Sequence, residues 1–222
     1  LKLYILKKKK LLSMDAIECL KTRRSTRRFK DEPVKYEDLK TMLDCARLAP
    51  SGTNMQNWHF VVIRSKDVML RMKQAVEQNT GEILIREEYG SARDKIAQIS
   101  RFFTFFPNAP VVIAVLIDPW ETFFEEIGKQ TGIDRYQAVK RSGFSTASGV
   151  AAAIENLLLA AHALGYGGCW MTGPLLAKHE IEQILGIKPP FELMALIPVG
   201  VPAKVPRVPE RKSIEEITTW IE

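Results

Sequence analysis

Gly165-Tyr166-Gly167-Gly168-Cys169-Trp170-Met171-Thr172-Gly173-Pro174 is the stretch on which the fold turns. Its glycines invite a dinucleotide-binding reading, but that signature needs a strand before them and a helix after them. Here the order is reversed. Residues Ser145 to Leu164 come first, with small residues on one side and leucines on another, and read as a central core helix that Gly165 stops. Cys169 to Thr172 comes after and fits a strand. A Rossmann site is excluded on this order, and a P-loop is absent. What the stretch offers instead is Met171-Thr172-Gly173, where a strand ends and backbone N–H groups come free.

Outward from this centre, helices and strands are interspersed without a βαβ beat. Asp15 to Arg24 reads as a short helix capped by Asp15, and Val34 to Leu48 as a second helix burying Leu39, Met42, Leu43 and Ala46. Pro50 stops it. Trp58 to Ile63, Ala109 to Ile117 and Leu193 to Val201 read as strands, the middle one central because it is apolar throughout. Asp67 caps a helix carrying Met69, Leu70, Met72 and Val76, and Lys178 to Leu185 forms another, closed by Gly186. Residues 80 to 106 read as polar helix with an aromatic end, and 119 to 142 as loop and short helix. After Val201, Pro202, Pro206 and Pro209 keep the chain extended as an arm, with a short helix from Ile214 to Ile221. The expected fold class is α+β: a three-layer α/β/α domain around a mixed central sheet, spanning residues 14–222.

The formal charge of +6 does not mark a nucleic-acid surface. Lys2, Lys7, Lys8, Lys9 and Lys10 all precede Met14, and without them it falls to +1. Residues 1–13 read as a disordered or artefactual basic extension, Met14-Asp15-Ala16-Ile17 having the look of a natural start; the rival reading is a short basic anchor. A signal peptide fits poorly, because the lysines interrupt the apolar residues. No segment approaches the ~18 apolar residues of a membrane helix. Cys19, Cys45 and Cys169 are odd in number and widely spaced, which points to a reduced, cytoplasmic protein. His59, His162 and His179 have no ligand spacing, so no metal site is expected, and no nucleophile elbow appears.

Three further stretches carry candidate chemistry. In Arg23-Arg24-Ser25-Thr26-Arg27-Arg28-Phe29, alternate residues Arg23, Ser25 and Arg27 share one side if the segment is extended, which offers two guanidinium forks and a hydroxyl to one anion. Such a run is otherwise a solvated surface. Ala49-Pro50-Ser51-Gly52-Thr53-Asn54-Met55-Gln56-Asn57-Trp58 is a tight polar loop with N–H, hydroxyl and amide groups for a flat polar ligand, or else a plain connection. The arm, with Arg211 and Lys212, matters only if it returns to the Arg23 cluster.

Taken in order, RRSTRRF, APSGTNMQNWHF, APVVIAV, GYGGCWMTG and LIPVGVPAKVP…RKSIEEI resemble the FMN-dependent nitroreductase family over nearly the whole chain after Met14. The resemblance implies a homodimer with FMN at the subunit interface and a C-terminal arm that crosses to the partner. It implies that Arg23, Arg24, Ser25 and Arg27 contact FMN, with Arg23 and Ser25 near the phosphate or ribityl chain and Arg27 near the pyrimidine edge. Ser51, Gly52 and Asn54 would come from the other subunit. Met171, Thr172 and Gly173 would lie beside the isoalloxazine, and Arg211 would complete the phosphate clamp. NADH or NADPH would deliver hydride to flavin N5, and a flat electron-poor acceptor, a nitroaromatic or quinone, would receive it in ping-pong fashion. No side chain need then act as nucleophile or base. The sequence departs from many relatives at Asn57, where they carry proline. The alternatives are a specialised member, such as a reductive dehalogenase of halogenated phenols with Glu87, Glu88 and Tyr89 as a lid, or a flavin-binding redox sensor. Neither nucleic acid nor membrane is an expected partner.

Overall fold

A computed structural model describes residues 14–119, 121–141 and 143–222. Residues 1–13, on which the reading of a basic extension falls, lie outside it. The named elements are α1 (Ala16–Thr22), α2 (Tyr36–Ala46), β1 (Trp58–Ile63), α3 (Lys66–Ile85), α4 (Arg93–Ser100) and β2 (Val111–Ile117). They continue with α5 (Phe123–Thr131), α6 (Arg135–Arg141), α7 (Ser145–Ala163), β3 (Gly167–Gly168), α8 (Lys178–Leu185), β4 (Glu192–Gly200) and α9 (Ile214–Ile217).

The strands form one sheet in the order β1-β2-β4-β3, antiparallel at every ladder. A parallel bridge between Ser25 and Gly168 makes it mixed at one side. Strand β2 is interior, and its side chains divide by alternation. Val111, Ile113 and Val115 enter one core, with Leu39 and Met42 of α2 and Ile154, Leu157 and Leu158 of α7. Val112, Ala114 and Leu116 enter the other, with Met69, Met72 and Val76 of α3 and Ile181 of α8. The molecule is thus helix, sheet, helix. In β4 the parity changes: Leu193 joins the second core, whereas Ala195, Ile197 and Val199 join the first. A register shift opposite Val115 and Leu116 is the cause, a bulge that turns the strand by one residue.

Helix α7 is the spine. Its buried residues Gly149, Val150, Ala153, Ile154, Leu157, Leu158 and Ala161 recur at helical spacing. It ends in a Schellman motif: Tyr166 N–H donates to Ala161 O at 2.8 Å and Gly165 N–H to His162 O at 2.9 Å, with Gly165 at φ +85°.

Three local expectations need correction. Ser65, not Asp67, caps α3, its hydroxyl accepting from Val68 N–H at 3.3 Å, and Asp67 lies in the first turn. The strand expected at Cys169 to Thr172 sits earlier, at Gly167–Gly168, because only residues without a Cβ fit between Thr26 and Leu158 there; Met171 keeps an isolated bridge to Leu196. The closing helix stops at Ile217 rather than Ile221.

Candidate functional site

Arg23 caps the end of α1, where the chain turns extended. The extended segment then runs beside β3, held by Thr26 N–H to Gly168 O at 2.9 Å, and Lys30 N–H reaches Val201 O at 2.9 Å. Extended backbone sends alternate side chains to opposite sides. Alternation thus puts Arg23, Ser25 and Arg27 on one side of this stretch, and Ser25 is bridged to Gly168, the neighbour of Cys169. Cys169 itself is buried, and burial pushes its thiol up, against the pull of Arg27. It stays protonated and is not a nucleophile.

Arg24 points the other way. With Thr26 it lines an apolar pocket of about 400 Å³ that His162, Tyr166, Pro202 and Val205 also line. Its Nη1 donates to Lys21 O and Arg23 O, and its Nε is buried without a partner. Of the four cationic and hydroxyl residues expected to act together, Arg24 stands apart. A larger groove of about 720 Å³ lies elsewhere, between α2 and β1, lined by Lys40, Asp44, Arg47 and Trp58, where charges of both signs mix. Cations alternating along an extended stretch, not size, favour the Arg23 side.

Beyond β3 the chain continues through Cys169 to Met171, Thr172 and Gly173. Met171 is buried and bridged to Leu196. Thr172 and Gly173 N–H donate to no carbonyl among the described residues, so both are free as expected. Gly173 also makes room for a side chain: a Cβ there would lie 2.6 Å from Cε1 of Phe103, whose ring would have to shift.

The Ser51 loop stands off from this cluster. Gly52 faces Ser145 of α7, and Ser51 sits against Gly149, where a Cβ would come within 3.1 Å of its own. Arg23 meets the same helix at Glu155, six residues further on, about 9 Å of helical rise. Thr53, Asn54 and Gln56 hold φ between 49° and 56°, the left-handed region that costs most non-glycine residues energy. All three are exposed. Asn57 secures the loop: its Nδ2 donates to Asp118 O and Thr146 O, both at 3.1 Å, and its carbonyl accepts from Asp118 N–H at 2.8 Å. Arg211 lies exposed on the arm.

Sequence reasoning missed two contributors. Glu155 accepts a 3.0 Å bond from Arg23 Nε, and Phe103 packs on Gly173. The signal for Glu155 was a carboxylate interrupting an apolar helix. Seven residues on, His162 Nε2 lies 2.8 Å from Thr22 Oγ1, which itself donates to Glu18 O. The hydroxyl has one hydrogen, so His162 must donate from Nε2. Burial first, then Arg23 and Arg24, lower the His162 pKa below 6.5. A depressed histidine contributes full stability above its unfolded pKa and loses it as pH falls. His162→Gln should therefore lose fewer degrees of Tm between pH 8 and pH 5 than the parent; equal losses would refute the assignment.

Among the described residues no His, Cys, Asp or Glu cluster suits a metal ion, and no helix is long and apolar enough to cross a membrane. The sequence model described as "Nitroreductase family" matches residues 20–201. A protein of Methanothermobacter thermautotrophicus, provisionally named NADH dehydrogenase/NAD(P)H nitroreductase, is 29% identical over 89% of this chain and 82% of its own. Among solved structures, a BluB-like flavoprotein from Clostridium difficile 630 superposes with a TM-score of 0.86 at 32% identity, over 95% of this chain and all of its own. Oxidized iodotyrosine deiodinase, bound to FMN and 3-iodo-L-tyrosine, superposes with a TM-score of 0.67 at 24% identity over 92% of this chain and 99% of its own.

Proposed function

The chain belongs to the nitroreductase family, and from that premise we propose that it is an FMN-dependent, NAD(P)H-driven oxidoreductase acting on flat, electron-poor acceptors. The observation that carries this reading is the extended Arg23 to Arg27 stretch, with its alternate cations and hydroxyl, held along β3 at Gly168, a few residues before the free N–H groups of Thr172 and Gly173. That donor set fits FMN: cations and a hydroxyl suit a phosphate or an anionic ring edge, and free N–H groups suit a polar planar ring.

FMN, when bound, accepts hydride from the nicotinamide and passes reducing equivalents to the acceptor. The residues do the rest. Arg23 and Ser25 would hold the phosphate or ribityl chain. Arg27 would supply positive charge to the pyrimidine edge, and Thr172 and Gly173 would orient the ring beside Met171. Arg24 would serve the same cofactor only by turning its buried Nε out of the neighbouring pocket. Ser51, Gly52 and Asn54, which stand off from the cluster in one chain, would serve the site of a second subunit, and Arg211 would join the clamp from the arm. The active unit on this reading is a homodimer with alternating half-reactions. Three free cysteines suit a cytoplasmic protein.

Purified protein should show flavin absorption that bleaches with NADH or NADPH under anaerobic conditions and recovers on adding a quinone or nitroaromatic. Arg23→Ala or Arg211→Ala should each weaken FMN binding by about 1.5–3 kcal/mol, the scale of hydrogen bonds to charged groups. Two variants binding as tightly as the parent would refute the clamp. Iodide release from 3-iodo-L-tyrosine, with nitroaromatics left unreduced, would move the assignment to a dehalogenase; Glu87, Glu88 and Tyr89 are exposed on a short 3₁₀ turn where they could serve a lid.

A further inference from the structure

We infer that Glu155 is the positioning residue for Arg23, fixing its guanidinium so that the phosphate-facing edge is presented before the cofactor arrives. This rests on the proposed FMN site. The carboxylate takes only Nε of Arg23, at 3.0 Å, and both Nη atoms have no partner among the described residues. Those two nitrogens form the end-on edge of the fork, the edge that pairs with two oxygens of a phosphate.

The anchor is rigid. Glu155 follows the fully buried Ile154 and precedes the buried Leu157 and Leu158, so its backbone is locked into the main core. Arg23 belongs to a different element and follows the last residue of a short helix. Without the carboxylate, its long side chain would have to be ordered at the moment of binding, and that ordering subtracts from affinity. The pair is half-buried, with side-chain exposures of 23% and 39%, so neither a strong buried ion pair nor a merely solvated one is involved.

Charge alone predicts the opposite effect. A carboxylate near a phosphate repels it, so a purely electrostatic role would make every neutral replacement bind FMN more tightly. The positioning role separates the replacements by geometry. Glu155→Gln keeps an oxygen that accepts from Nε–H, whereas Glu155→Ala keeps none.

The test is a flavin titration of the apoprotein by fluorescence quenching, with FMN and with riboflavin, which lacks the phosphate. Glu155→Ala should bind FMN about 10-fold more weakly than the parent, Glu155→Gln should stay within about 3-fold, and riboflavin affinity should stay within about 2-fold for both. Equal or tighter FMN binding by Glu155→Ala would overturn the inference. So would loss of both flavins together, which is the mark of a general structural defect, or identical behaviour of the two variants. A parent that bound no FMN would instead bring down the functional reading on which this one stands.

Discussion

Gly167→Ala should lower stability by about 3 kcal/mol, at the upper end of the range for overpacked cores, and Tm by roughly 6–12 °C for a chain of this size. Gly167 has no left-handed backbone, so the substitution meets no dihedral barrier. The obstacle is Thr26. A Cβ on residue 167 would lie 2.6 Å from Thr26 Cβ and 2.9 Å from Cγ2, as well as against Oγ1. Rotation about χ1 does not move Cβ, so no rotamer of Thr26 relieves the clash. Nor can the backbone drift freely, because Thr26 N–H is bonded to Gly168 O and the residue is buried. The strand carrying Ser25 and Arg27 must separate from β3. Stability and FMN affinity should therefore fall together, which thermal unfolding and flavin titration read separately. Thr26→Ala in the Gly167→Ala background should restore only part of the loss, since Thr26 Cβ accounts for the 2.6 Å contact. A Gly167→Ala protein within about 0.5 kcal/mol of the parent, the range of ordinary surface changes, would show that the segment is not held as described.

That contact also shows why only part of the site was legible in the sequence. Periodicity gave the long helices, since α2, α3 and α7 bury residues at three- and four-residue steps written in one segment. The alternation of Arg23, Ser25 and Arg27 was readable for the same reason. What periodicity cannot give is which segment lies beside which. Gly167 and Gly168 read as punctuation before a strand, yet they are the strand, because Thr26 and Leu158 leave no room for a side chain. Asp67 was as good a cap by residue type as Ser65, and the choice between them was made by where the chain leaves β1. Glu155 and Phe103 gain their roles from partners 132 and 70 residues away along the chain. Arg24 was grouped with its neighbours only by the family resemblance, and extended geometry puts it on the far side.

Ending the chain after Ala203 should abolish both dimerisation and FMN retention while leaving a folded monomer. Neither core contains a residue beyond Val201, so the two hydrophobic clusters survive the deletion intact. The deleted part is unlike them. Val205 is 95% exposed, Trp220 80% and Ile221 94%, and Val208, Ile214 and Ile217 are also exposed. In the proposed dimer this apolar surface is what the arm would lay on the partner. Full burial of a large apolar side chain contributes about 1.5–3 kcal/mol, so covering half of these six gives roughly 5–9 kcal/mol before the cost of association. Two symmetric arms double that figure to roughly 9–18 kcal/mol, the same order as the ~4–15 kcal/mol cost of association that it has to offset. Light scattering on a sizing column should show a parent dimer and a truncated monomer, and far-UV circular dichroism should stay close to the parent's. Arg211→Ala separates the arm's two roles: it should stay dimeric and bind FMN more weakly, because it removes one cation and no apolar contact. A truncated chain that remained dimeric and yellow would mean that the interface lies elsewhere and that Arg211 contributes nothing to the clamp.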